Sequence, residues 1–199
     1  MDDNFQKSLG YTLQFEGGWS KNAADPGGAT MKGVTLATYT SFCAQCGKDA
    51  PSDGDLHDIS DEDLSTLYYN NFWKKVGADQ LAGGVDAVVW DWGVNSGPGR
   101  PIKAMQTLVA HHVDGKLTPE LIAAMNALPA EVAIERLSSA RKQFFYDIVN
   151  HRPASNVFLK GWLSRVAKLE VLAHEMAGHD GGDGKATSDH PDHVTDQDA

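Results

Sequence analysis

Residues 83–97 read GGVDAVVWDWGVNSG. The run is apolar on nearly every side of a helical wheel, which is the pattern of a helix buried all round. Asp91 lies in the middle of it. A carboxylate in so apolar a helix must be paired or protonated, because an isolated buried charge is expensive. Whether Asp91 is held by structural hydrogen bonds or lines a cleft is left open by the sequence.

The rest of the chain supplies helices of the ordinary amphipathic kind. FQKSLGYTLQFE places Phe5, Leu9, Leu13 and Glu16 on one helical face, and Gly17-Gly18 reads as the stop. SDEDLSTLYYNNFW opens on Ser60 with an acid at Asp63, which resembles a capping box, and puts Leu64, Leu67, Tyr68 and Phe72 on its apolar face. RPIKAMQTLVAHH, TPELIAAMNALP (started by Thr118 and Pro119), AEVAIERLSSARKQFFYDIVN and VFLKGWLSRVAKLEVLAHEMA follow as helices, the last two divided by HRPASN. The stretch from Gly17 to Gly33 is turn chemistry around Asp25-Pro26-Gly27-Gly28, where a short hairpin is expected. The fold class is mainly α, with a small β-hairpin or loop element near residues 19–35.

Charge and composition exclude several functions. The chain has 199 residues, 41 % of them hydrophobic and 9 % aromatic, enough for a real core. Net charge is −10, of which the seven acids and one lysine from His174 onward account for −6, leaving −4 for the first 173 residues. The tail HDGGDGKATSDHPDHVTDQDA is expected to be disordered for want of apolar side chains. No basic stripe points to nucleic acid, and no apolar run is long enough for membrane insertion. The start, MDDNFQKSLG, is acidic and does not read as a secretory signal, so the expectation is a protein made in the cytoplasm. Cys43 and Cys46 read as ordinary thiols. His174-Glu175 with His179 is not a zinc-protease spacing, and no metal or other cofactor is assigned.

Glu16 is the candidate acid. It sits on the apolar stripe and at the negative end of a helix dipole, and both raise a carboxyl pKa toward the range of a general acid. Asp25 and Thr30 follow at spacings of nine and five, and a helix-to-hairpin turn brings all three to one cleft. The glycines beside Glu16 then shape and open its floor.

EGGWSKNAADPGGATMKGVT resembles the signature of glycoside hydrolase family 108, the lysozyme-like N-acetylmuramidases, with Trp19 as its aromatic and Val34 in place of Ile. DWGVNSGPGRPIKAMQ, VDGKLTPELIAAM and GWLSRVAKLE are similar to the family's later motifs, so the resemblance covers about residues 4–172. It implies a lysozyme-like helical fold: a catalytic part over 1–98, a helical peptidoglycan-binding part over 99–176 packed on it as one unit, and the acidic tail over 177–199. It implies cleavage of the β-1,4 bond between N-acetylmuramic acid and N-acetylglucosamine, with Glu16 as the acid. By a looser likeness to phage-type lysozymes, Asp25 stabilises positive charge or orients water, and Thr30 holds that water. Trp19 is a candidate sugar contact. Asp91, Asn95 and Ser96 are candidates for substrate binding. Trp90, Trp92, Trp162 and Tyr146 read as core.

The partner so implied is bacterial peptidoglycan, met by a monomer in the periplasm after passage through a holin pore or a secretion route, as a phage endolysin would. A wall-remodelling muramidase for secretion, a lytic transglycosylase and a non-catalytic wall-binding protein are the alternatives. A strongly acidic protein gains nothing from general attraction to an anionic wall, so binding must rest on short-range contacts.

Overall fold

The computed structural model describes residues 3–21 and 28–180. Helix α1 (Asp3–Leu13) leads into a small antiparallel sheet of β1 (Ser20–Lys21), β2 (Ala29–Met31) and β3 (Val34–Thr35). Helices α2 (Leu36–Gln45), α3 (Asp53–His57) and α4 (Asp61–Tyr68) follow, and α4 widens into a π turn over Tyr69–Trp73. Then come α5 (Val85–Ser96), α6 (Gly99–Leu108), α7 (Pro119–Asn126), α8 (Ala130–His151) and α9 (Asn156–Asp180). The mainly helical class with one small β element is what the sequence pattern requires.

The apolar run is the axis of the molecule. Every residue of α5 from Val85 to Gly93 is buried, and α5 packs against α1, α6, α8 and α9. Aromatic edges fill the space beside it. Phe5 of α1 meets Tyr69, Trp73 and Trp90 at centroid distances of 5.0, 5.2 and 5.9 Å, all edge-on. That is the geometry ring quadrupoles favour. The start of α5 touches α9 so closely that a Cβ on Gly84 would collide with the carbonyl oxygen of Ala173, and Gly84 has φ +82°. Only glycine fits there.

Local start signals explain the helix boundaries. Thr35, Ser52, Ser60 and Thr118 each accept a backbone N–H of the first turn that they cap. At Ser60 the resemblance to a capping box is half realised. Asp63 N–H donates to the serine, but the Asp63 carboxylate turns to Lys48 at 2.7 Å. The complete box is at Ser52 and Asp55, at the start of α3, a helix that the sequence reading did not anticipate; nor did it anticipate α2.

Other expectations need correcting. α1 ends at Leu13, three residues before Glu16, so the glycine pair does not stop it; turn bonds from Gln14 to Tyr11 and from Phe15 to Thr12 carry the chain on. Helix α9 runs to Asp180, so the first residues assigned to the tail belong to it, with Ala177 buried. The remaining tail, 181–199, lies outside the described residues, as does Asp25. Trp90 and Trp92 are core. Trp162 is only half-buried, stacked between Phe145 and Phe158. Tyr146 is exposed on α8, because the buried stripe of that helix passes through Arg141 and Phe145 instead.

The partner that the buried carboxylate of Asp91 needs is double. Arg141 of α8 donates to Oδ2 at 2.8 Å, and Arg165 of α9 donates from Nε to Oδ2 at 3.1 Å and from Nη2 to Oδ1 at 2.6 Å. The Thr12 hydroxyl of α1 adds a fourth bond at 2.7 Å. Burial alone would push the Asp91 carboxyl up, but the two arginines and Thr12 outweigh it and hold it below its ordinary value. Removing one partner of such a cluster strands the others. Asp91→Asn should therefore cost about 3–5 kcal/mol at neutral pH, measured by urea unfolding. The stability that the ionised Asp91 contributes is present above the unfolded carboxyl pKa and is lost as pH falls through the lower folded value, so the gap to wild type should narrow toward strong acid.

Candidate active site

The chain leaving α1 turns Glu16 back against the core. Its carboxylate has 22 % of its side-chain surface exposed, and Oε1 stands 3.7 Å from Arg165 Nη2. That separation is an ion pair, too long for a good hydrogen bond. Phe15, one residue earlier, lays its ring against the Arg165 guanidinium at 4.7 Å. The arginine is thus fixed on three sides: by Asp91, by Phe15 and by the helix that carries it.

The opposite wall is the turn between β2 and β3. Met31 pairs with Val34, leaving Lys32-Gly33 as a two-residue loop with φ +46° and +76°. Positive φ at both central positions is the type I′ requirement, which suits the twist of a hairpin. A Cβ on Gly33 would lie 2.8 Å from both Glu16 Oε2 and Tyr68 Oη. The glycine therefore lets the turn press directly on the carboxylate. Tyr68 donates its hydroxyl to the Lys32 carbonyl at 2.8 Å and so ties α4 to the same turn.

These surroundings set the acidity of Glu16. Burial comes first and pushes its carboxyl above its ordinary value; Arg165 pulls the other way, and the negative charge of Asp91 adds to the rise. Tyr68 is also pushed up, by burial and then by the Glu16 charge. The result is a carboxyl kept partly protonated at pH values where an exposed glutamate is ionised, facing a surface that solvent can reach.

The other sequence candidates fall differently. Thr30 is the centre of the sheet, paired to Ser20 on one side and Thr35 on the other, three residues before the glycine that touches Glu16. Trp19 is 37 % exposed and meets the His57 ring edge-on at 5.1 Å. Asn95 and Ser96 stand at the end of α5, bonded to each other at 2.9 Å. Asp91 is corrected: with no exposed surface and every lone pair engaged by Thr12 and the arginines, it cannot touch a substrate and acts by holding Arg165. Arg165, Arg141, Gly33 and Tyr68 were missed as site residues. The need of Asp91 for a partner was the available signal, pointing to cations inside apolar helical stretches such as GWLSRV and SSARKQFF. Among the described residues no group of three or more His, Cys, Asp or Glu is arranged to hold a metal ion. Cys43 is buried, Cys46 is exposed, and both are free.

The helical body with its small antiparallel sheet is a lysozyme-like helical fold. Residues 9–97 match the glycosyl hydrolase 108 profile, and residues 100–167 match that of a predicted peptidoglycan domain. The chain is similar to the solved structure of Brucella abortus SagA, with 31 % identity and a TM-score of 0.68 over 87 % of this chain and 95 % of that one. No curated protein matches it. The chain belongs to the glycosyl hydrolase 108 family and is a peptidoglycan-cleaving muramidase.

Two substitutions test this geometry. Gly33→Ala forces a Cβ into the carboxylate and an alanine into the left-handed backbone region. It should cost about 1–2 kcal/mol of stability and lower turnover of purified sacculi by on the order of 10²-fold. Arg165→Met removes the cation nearest Glu16. The Glu16 carboxyl should then titrate at higher pH than in wild type, read from the carbon-13 shift of labelled glutamate; a downward move would show that Arg165 does not stabilise the ionised form.

Proposed function

We propose that the chain hydrolyses the β-1,4 bond between N-acetylmuramic acid and N-acetylglucosamine, with Glu16 donating the proton to the leaving oxygen. The observation that carries this reading is the environment of Glu16: a carboxyl raised by burial, restrained by Arg165, and still open to solvent on one side. A general acid must hold its proton near the working pH, and burial is the usual way to arrange that. Asp25 is assigned to stabilising positive charge on the sugar or orienting water, and Thr30 to holding that water. Trp19 offers an exposed ring at the edge of the sheet for a sugar face, and Asn95 and Ser96 offer amide and hydroxyl donors. The biological role we assign is that of a phage endolysin.

Glu16→Gln keeps the shape and removes the transferable proton. Loss of general acid catalysis should lower hydrolysis of sacculi by about 10²–10⁴-fold, while sedimentation with sacculi is retained. Its melting temperature at pH 7 should be equal to wild type or higher. A carboxyl whose folded pKa is raised opposes folding once it ionises. That cost is absent below the unfolded pKa, grows as pH rises and is full above the folded value. Wild-type products should carry reducing N-acetylmuramic ends, and the protein should clear cells stripped of their outer membrane. Anhydro ends in the mass spectrum would assign a lytic transglycosylase instead, and retained activity in Glu16→Gln would remove Glu16 from the reaction.

A further inference from the structure

A cavity of about 460 Å³ opens between the start of α6 and the last turns of α8, lined by Arg100, Phe144, Asp147, Ile148, His151 and Arg152. We propose that it receives the peptide stem of the peptidoglycan, a short peptide bearing free carboxylates and an amino group; the proposal rests on the cleavage assigned to Glu16.

Its size is that of a small-ligand site. Phe144 and Ile148 give it an apolar part. The Arg100 guanidinium lies over the Phe144 ring at 4.8 Å, which holds its plane while leaving its N–H edge for a carboxylate. Two arginines against one aspartate make the lining locally positive on a chain of net charge −10. Attraction to an acidic ligand is therefore available at this spot in spite of the overall charge. The presence of Asp147 between the cations suits a ligand that also carries an amine. A bare polyanion would meet repulsion there. The Asp147 carboxylate accepts from Gln143 at 2.9 Å, and its carbonyl oxygen is 2.7 Å from His151 Nδ1, so both are positioned by α8 itself.

Place argues for the same ligand. All the lining residues fall inside the segment 100–167 that matches a predicted peptidoglycan domain. Phe144 to His151 lie three to ten residues beyond Arg141, about 5–15 Å along the axis of α8 from the ion pair with Asp91. Arg100 follows closely on Asn95 and Ser96 at the end of α5. The stem is attached to N-acetylmuramic acid, the sugar at the bond to be broken.

The test uses the full chain and the tripeptide L-alanyl-γ-D-glutamyl-meso-diaminopimelate as probe. In wild type, the tripeptide should shift the NMR signals of Phe144, Ile148 and His151. The double variant Arg100→Gln, Arg152→Gln, changed only at exposed positions, should keep the wild-type melting temperature and weaken tripeptide binding by at least about tenfold. In a Glu16→Gln background, the same changes should weaken sedimentation with intact sacculi and leave binding to glycan strands stripped of their stems unchanged. No shift at these residues, equal shifts with acetate at the same concentration, or equal loss on intact and stripped glycan would overturn the proposal. Tripeptide binding does not require Glu16, so failure of the cleavage reading leaves this measurement standing on its own.

Discussion

Asp91 has no exposed surface, and its carboxylate accepts from a hydroxyl on α1, a guanidinium on α8 and a guanidinium on α9. The desolvation of such a group is severe and is offset only when geometry and hydrogen bonding are nearly complete. Here they are, with four donors for a group that has about four lone-pair sites. The bonds reach three helices that are far apart in sequence, so the central helix is fixed in rotation as well as in depth. A hydrophobic core alone would tolerate some sliding of α5 among its neighbours. A buried, directional ion cluster does not.

The same cluster reaches Glu16, the acid of the proposed reaction. Arg165 faces Asp91 with its Nε and Nη2 and Glu16 with Nη2, so one guanidinium serves a fully buried and a partly exposed carboxylate together. With Glu16 ionised, the two carboxylates and two arginines are balanced; with Glu16 protonated, one positive charge is in excess. Burial by the Gly33 turn favours the protonated form and Arg165 favours the ionised form. The acidity of the residue is the balance of two walls that belong to opposite ends of the chain. In the reaction proposed for Glu16, stability is given up there in exchange for a proton that can be donated.

The sequence was legible where a pattern has one physical solution. An all-apolar run could only be a core helix, and serine and threonine caps with proline at the first turn mark helix starts whatever surrounds them. Glu16 stood out because a carboxylate on an apolar stripe is anomalous. Its local setting was harder. Its position beyond α1 depends on turn bonds at Tyr11 and Thr12 that no periodicity encodes. Asp91 was correctly seen to need a partner, but the partners lie 50 and 74 residues away, and side-chain pairing across that distance is decided by packing. Helix α3 escaped notice because it is five residues long and set by a capping box among turn-forming residues, and α2 because its apolar residues form no clear stripe. Tyr146 was misplaced by one position on a helix rich in adjacent aromatics, and one position is a 100° rotation.

The two matched segments meet between Gly97 and Arg100, and the cluster at Asp91 crosses that boundary twice. Their names suggest interchangeable parts, a cutter and a holder. The arrangement of charge says otherwise. A first segment severed from the second would keep a buried aspartate without its cations and a glutamate without its counter-charge, while Gly84 would lose the backbone it was shaped to meet. Recombination at this junction could not exchange binding specificity as it does in proteins built from beads on a string. Exchanging one segment for another would mean rebuilding the Asp91 cluster, whereas a surface substitution leaves it whole.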